Sequence, residues 1–196
     1  MINIFVEGIA DEKFIKDYLS YLNISNDFKV IKTNGKDNLL DFLNIFEKNT
    51  DLEGVNLIVF DADEDFNERK QEILNFREFN NIDFELFLFP NNEDKGDLET
   101  LLENIIPEDN KNIINCWDNY ENCIGKLSKN LTIPANKTKI YAYLEVLLGK
   151  TQEEKKKIKE RSRDYKNKKH WNLNSDYLLN LKNFLLDNII EKEKII

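Results

Sequence analysis

The sequence predicts an α/β fold: a Rossmannoid three-layer domain with a four-stranded, mainly parallel sheet, followed by a helical C-terminal region. Segments of strand composition alternate with amphipathic segments in the first half of the chain. Strands separated by helices imply right-handed crossovers and therefore a parallel sheet. The uninterrupted apolar run at residues 57–60 supports this prediction, because a strand covered by helices on both faces is apolar at every position.

The strands and helices of the first half are predicted from two different spacings of apolar residues. Helical segments place apolar side chains three and four positions apart, as Phe14, Tyr18 and Leu22 do. Pro90 ends the last strand because proline cannot donate a hydrogen bond to its neighbour. The predicted strands are 2–6, 28–32, 55–60 and 84–89, and the predicted helices are 10–22, 37–47 and 66–79.

The second half of the chain is predicted to be helical. The pattern places helices at 112–128 and 139–148, then a basic segment at 150–169, which we also expect to be helical, and a last helix at 175–193. Residues 129–138 are predicted to be a loop between two helical layers. We therefore divide the chain into an α/β domain, 1–108, and a helical region packed on it, 109–196.

Polar or charged residues follow each of the four predicted strands. In a parallel sheet the carboxyl ends of the strands lie at one edge, where functional groups of such folds collect. We therefore expect the site at this edge, which would be formed by Glu7-Gly8, Asn34-Gly35-Lys36, Asp61-Ala62-Asp63 and 91–94.

Asp61 and Asp63 are the most specific candidates for a functional role at this edge of the sheet. In an extended chain, residues two apart point the same way, so the two carboxylates would repel each other. A hard divalent cation with oxygen ligands, Mg²⁺ above all, would remove that conflict. The alternative is that the acidic residues cap the following helix, since aspartate is favoured at helix N-termini. These residues alone do not decide between the two.

Composition limits the classes of protein to which this chain could belong. The chain has 196 residues and a net charge of −9, which argues against a surface built for indiscriminate nucleic-acid binding. It has no apolar run long enough to span a membrane and no apparent signal peptide, so a cytoplasmic location without membrane association is expected. Cys116 and Cys123 are then expected to be reduced thiols in the core.

The basic segment, residues 150–169, stands out against the acidic remainder. It has ten Lys or Arg and four Asp or Glu, a net +6, which leaves −9 − 6 = −15 for the rest of the chain. One interpretation is a surface that contacts an anion such as a nucleic-acid backbone; the other is an ordinary solvated surface. Trp171, just after the segment, is predicted to anchor it on the domain.

The acidic residues at the strand ends resemble the pattern of the Toprim family. That domain is shared by topoisomerases, bacterial primases, small ribonuclease-like maturases and the overcome-lysogenisation-defect nucleases. The resemblance covers roughly residues 1–105 and extends to stand-alone Toprim-related bacterial proteins of unknown function. It rests on Glu7-Gly8 with Asp11 and Glu12 nearby, Asp61-x-Asp63, and Gly96-Asp-Leu-Glu99.

The resemblance implies roles for individual residues. Glu7 would transfer a proton and, with Asp61 and Asp63, hold Mg²⁺ or Mn²⁺. Asp65 or Glu99 would supply a further carboxylate. Independently of the resemblance, Lys36 at the end of the second strand, or Lys95, would contact a phosphate as a point charge, unless it is simply exposed to solvent. Such a site would neutralise the phosphate and orient the attacking oxygen, which is what phosphoryl transfer requires.

The resemblance implies a Mg²⁺-dependent nuclease or related phosphodiester-processing protein acting on DNA or RNA. We find no persuasive nucleophilic tyrosine for a topoisomerase and no P-loop motif, so an ATPase would have to be a separate partner, and a homodimer is also possible. The alternatives are a non-catalytic Toprim-like module that binds nucleic acid or a partner, and a phosphohydrolase acting on small phosphate esters. Similarity of fold alone does not choose among them.

Overall fold

Four parallel strands form one sheet in a computed structural model of the chain, which describes residues 1–24, 28–127 and 130–190. The spatial order is β2-β1-β3-β4, and every neighbouring pair is parallel. The predicted α/β class is therefore confirmed. The strands are Ile2–Val6 (β1), Phe28–Lys32 (β2), Val55–Asp61 (β3) and Glu85–Phe89 (β4).

Helices connect the strands and make up most of the C-terminal half. None of the helices described is long and apolar enough to cross a membrane. The α-helices are Ile9–Tyr21 (α1), Leu43–Asp51 (α2), Phe66–Asn80 (α3), Leu98–Asn104 (α4), Lys111–Leu127 (α5), Asn136–Leu148 (α6), Gln152–Ile158 (α7) and Leu179–Ile190 (α8). Short 3₁₀ helices lie at Lys36–Phe42, Glu108–Asn110, Glu160–Ser162 and Asp176–Leu178.

The sheet separates two hydrophobic clusters, as the alternation of side chains along a strand requires. On β1, Ile4 and Val6 face one cluster and Phe5 faces the other. Phe5 stacks on Phe46 of α2, with ring centroids 4.0 Å apart. Helices α2 and α3 cover this face, so the domain has the three layers that were predicted.

The C-terminal region covers the opposite face of the sheet and shares its core. Trp171 packs on Tyr143 of α6, with ring centroids 5.5 Å apart, and both belong to the cluster that contains Phe14 of α1. Leu181 and Leu185 of α8 belong to the same cluster. Trp171 is fully buried and anchors the end of the basic segment, as predicted.

Two predicted helices differ most from the structure. The helix predicted at 37–47 is a 3₁₀ helix followed by α2, and the side-chain Nδ2 of Asn38 donates to the Thr33 and Asn34 carbonyls at its start. In the basic segment only α7 is α-helical, because the chain turns inward to bury Arg163 and Tyr165. The predicted ends at 128 and 193 lie outside the described residues.

The prediction that the cysteines are core thiols was wrong. Both are free, as expected, but both are exposed on α5. Ile114 is the buried residue of that helix, and other apolar residues of α5, such as Ile113 and Trp117, line a partly open groove. The spacing of residues on α5 was correctly predicted, but no feature of the sequence showed how little of the helix would be covered.

Candidate functional site: an acid cluster at the strand ends

Three segments of the chain bring five acidic residues to the carboxyl ends of β1 and β3. We call them the acid cluster: Glu7, Asp11, Asp61, Asp97 and Glu99. The first two lie at the junction of β1 and α1, the third ends β3, and the last two begin α4. Because β1 and β3 are neighbours in the sheet, their ends lie side by side.

Asp61 lies at the centre of the acid cluster. Its Oδ1 accepts a hydrogen bond of 3.0 Å from the Leu98 amide, which joins the end of β3 to the first turn of α4. Burial raises the pKa of Asp61 well above its usual range, and the charges of Asp11 and Glu7 raise it further, as do those of Asp97 and Glu99.

Glu7 is fixed by two donors. Its Oε1 accepts from the Asp61 amide at 3.1 Å and from Arg69 Nη2 at 2.6 Å. Arg69 is buried, and its Nε donates to the Asp61 carbonyl at 3.2 Å, so one guanidinium links both strand ends. Burial raises the pKa of Glu7, although the positive charge of Arg69 opposes the shift.

Asp11 lies in the first turn of α1. Its Oδ2 accepts a hydrogen bond of 2.6 Å from the amide of Gly8, the residue that precedes the helix. A Cβ atom at position 8 would lie 2.9 Å from that oxygen, so a larger residue there would displace the Asp11 carboxylate from this close approach. Burial, followed by the charge of Glu7, raises the pKa of Asp11 to about 6 even though the Gly8 bond opposes it.

Glu99 and Asp97 enter the cluster from α4. Asp97 caps the helix by accepting from the Thr100 amide at 2.8 Å. Burial raises the pKa of Glu99 to about 7, and the charges of Asp97 and Asp11 add to the shift while Arg163 opposes it. The influence of Arg163 shows that the C-terminal region contributes to the electrostatics of this site.

Asp63 and Asp65 are placed differently from Asp61. Asp63 has a positive φ of 55°, so the chain is no longer extended there, and its side chain is 58% exposed with Oδ2 at 3.8 Å from Arg69 Nε. Asp65 caps α3: its Oδ1 accepts from the amides of Asn67 and Glu68. Helix capping, one of the two alternatives for these acids, is therefore observed at Asp65.

Lys36 lies on the side of the site formed by α3. Its Nζ is 3.2 Å from Glu72 Oε2, and Glu72 also accepts from Arg69 at 3.0 Å, so Lys36 is connected to Glu7 through two charged residues. Lys36, Asp63 and Arg69 line a cavity of about 470 Å³. Lys95 pairs with Glu64, and both of those side chains are largely exposed.

The chemistry of the acid cluster fits a hard divalent cation, because carboxylate oxygens are its preferred ligands and a cation would offset the repulsion between these half-buried carboxylates. The geometry fits less closely. Within 1–24, 28–127 and 130–190, no three Asp, Glu, His or Cys side chains are arranged so that they could hold an ion. Glu7, Asp11 and Asp61 each accept hydrogen bonds instead. Binding an ion would require some of these carboxylates to rotate towards one another.

Sequence reasoning missed Arg69 and gave no role to Asp97, which it quoted only as part of the segment from Gly96 to Glu99. Asp97 precedes α4 and has the signature of an N-cap, so its position at a strand-to-helix junction was the available signal. Arg69 carries no signal of its own, because its partners Glu7 and Asp61 are distant in the chain.

A comparison with family models connects both halves of the chain to one family. The model described as "Protein of unknown function (DUF3226)" matches residues 2–189. The chain belongs to the DUF3226 family. The match runs from β1 into α8, so the DUF3226 unit includes the acid cluster, the basic segment and the shared core. Comparisons with curated proteins and with solved structures gave no match.

Proposed function

We propose that this DUF3226 protein is a Mg²⁺- or Mn²⁺-dependent enzyme that hydrolyses phosphodiester bonds in DNA or RNA. One observation carries the proposal: five carboxylates from three chain segments, one buried and four half-buried, meet at the carboxyl ends of parallel strands. A domain whose only need was stability would not be expected to gather them, because burying like charges is costly.

The residues divide into two roles in this proposal. Asp61, together with Asp11 and Glu99, would hold the cation, and Asp63 would approach it from the adjoining cavity. A bound Mg²⁺ neutralises phosphate charge and orients the attacking water. Glu7 would transfer a proton, since Arg69 and the Asp61 amide fix its carboxylate at the edge of the cluster.

The basic segment would contact the nucleic-acid backbone. Nine of its ten basic residues are exposed, and Arg163 is the buried one. The segment is tied to α1, because the Tyr165 amide donates to Asp17 at 3.0 Å. Its 3₁₀ helix, which carries Glu160, packs on α1, the helix of Asp11, so the basic segment adjoins the acid cluster. The proposal also includes, as a partner, either a separate ATPase or a second copy of the chain.

The decisive experiment is an incubation of purified protein with plasmid DNA, linear DNA and RNA, in Mg²⁺, Mn²⁺ or EDTA. We expect cleavage that depends on the metal and that Asp61→Asn with Asp63→Asn abolishes. The matched control is Asp51→Asn, which removes an exposed charge at the end of α2 and should leave cleavage unchanged.

Three outcomes would replace this proposal. If the Asp61 and Asp63 double variant cuts as fast as the wild type, the metal-dependent nuclease is excluded. If the protein binds nucleic acid but cuts none of the substrates, it is a binding module. If it hydrolyses only para-nitrophenyl phosphate, it is a phosphohydrolase for small esters.

A further inference from the structure

The N-terminus of α6 docks beside the acid cluster. Asn136 Nδ2 donates to Thr100 Oγ1 at 3.4 Å, and Thr100 Oγ1 donates to Asp97 Oδ1 at 2.6 Å. These bonds connect the first residue of α6 to the cap of α4, the helix that carries Glu99. The side chain of Lys137, the next residue, therefore begins at the edge of the acid cluster, although Lys137 belongs to the C-terminal region.

Lys137 is held by a partner that is much less exposed than itself. Its Nζ lies 2.5 Å from Glu160 Oε1, and the exposed fractions of the two side chains are 58% and 14%. The bond to Glu160 raises the pKa of Lys137, and the charges of Glu160 and Glu99 add to the shift although burial opposes it. The ammonium group is thus charged, near Glu99, and open to solvent.

Three other cations near the site are differently placed. Arg69 and Arg163 are buried, the first bound to Glu7 and the second packed over the Tyr141 ring at 5.2 Å. Lys36 pairs with Glu72 on the α3 side. Lys137 therefore combines two properties that a contact with a bound anion needs: a position at the cluster and a side chain that can reach outwards.

We propose that Lys137 contacts a backbone phosphate of the nucleic acid at the acid cluster, and that the phosphate replaces Glu160 as its partner. This inference rests on the proposed function and adds a specific contact to it. A lysine ammonium binds phosphate as a point charge, and the released Glu160 carboxylate is then hydrated. Lys137 is a substrate-binding residue here, and Glu160 is a residue that competes with the substrate for it.

The test compares Lys137→Ala with Lys48→Ala, which removes an exposed lysine from α2 on the opposite face of the sheet. We expect Lys137→Ala to raise KM for an oligonucleotide about tenfold or more, the loss of one charge-assisted bond. The slope of log affinity against log salt should fall by about 0.7 to 0.9, the value for one phosphate contact. Lys137→Arg should bring both KM and the salt slope most of the way back to their wild-type values. Glu160→Gln should lower KM.

Measurement of Mn²⁺ binding to the same variants separates this inference from the proposed function. Lys137→Ala should bind Mn²⁺ as the wild type does. If the wild type cuts, Asp61→Asn does not, and Lys137→Ala equals Lys48→Ala in KM and salt slope, the inference alone fails. If the wild type neither binds nor cuts oligonucleotides, the inference and the proposed function fail together.

Discussion

Asp11 shows how the site works at the scale of one residue. Its carboxylate is buried beside Glu7 and is partly compensated by a hydrogen bond from the Gly8 amide. Burial and a neighbouring like charge both favour the protonated form, which raises its pKa to about 6. In the absence of a cation, the folded protein therefore binds this proton more tightly than the unfolded chain does.

The first prediction concerns the pH dependence of stability in EDTA. The folded pKa of Asp11 is about 6 and its ordinary value is 3.8, so its favourable contribution is complete below about pH 4 and lost as pH rises through 6. Asp11→Asn should therefore stabilise the protein by about 1–3 kcal/mol at pH 8 and change little at pH 4. Urea unfolding followed by circular dichroism at both pH values measures the difference.

Asp51→Asn serves as the control for this prediction. Its side chain is exposed at the end of α2, so its effect should stay within about 0.5 kcal/mol at both pH values. An Asp11 variant less stable than the wild type at pH 8 would show that the carboxylate is worth more as a hydrogen-bond acceptor than it costs as a buried charge.

Helix N-termini that follow strands β3 and β4 are the elements that shape this site. Asp65 begins α3 after β3, and Asp97 begins α4 after β4; each caps its helix by accepting backbone amide bonds. Asp97 also lies among the other acids, whereas Asp65 is exposed and points to two amides of its own helix. Two aspartates with similar local roles thus differ in what surrounds them.

The second prediction separates capping from metal binding at Asp65. Asp65→Ala should destabilise the protein by about 1 kcal/mol, because it leaves the Asn67 and Glu68 amides without their partner. Asp65→Ser should recover most of that stability, since serine also caps helices. Both variants should keep metal-dependent cleavage. Loss of cleavage in the serine variant, with stability retained, would identify Asp65 as a metal ligand.

At the scale of the whole molecule, the α/β layers and the C-terminal helices depend on one core. Trp171, Tyr143 and Tyr165 pack together in the cluster that also contains Phe14 and Val6, close to the start of the acid cluster. A segment of the C-terminal region therefore supports the helix that carries Asp11. We expect the two halves of the chain to unfold together.

The third prediction tests this shared core. Trp171→Ala should cost about 3–5 kcal/mol, because it removes a fully buried aromatic side chain. Trp117 is the matched control: it lines the open groove between α5 and α6, so Trp117→Ala should cost clearly less. Circular dichroism and fluorescence should give coincident urea transitions for the wild type. Two separate transitions would show that the halves fold independently.

Prediction from sequence succeeded where local chemistry decides the structure. The apolar run ending at Asp61, the alternation of strands and helices, and the proline after β4 were enough for the class of fold and for the edge of the sheet at which acids collect. Prediction failed where packing against elements distant in the chain decides which side chains are buried. The cysteines of α5 have the spacing of a buried face, yet both are exposed in the part of the chain that the structure describes.

The sequence by itself determined that acidic residues follow parallel strands, because the order of strands and the residues after them are both local properties of the chain. Only the tertiary structure decided which acids meet: it joined Asp11 and Glu99 to Asp61, turned Asp63 outward and placed Arg69 on Glu7. The physical reason is that these contacts cross between segments more than 35 residues apart in sequence. Their formation depends on how the helices pack on the sheet, which the spacing of residues along the chain does not encode.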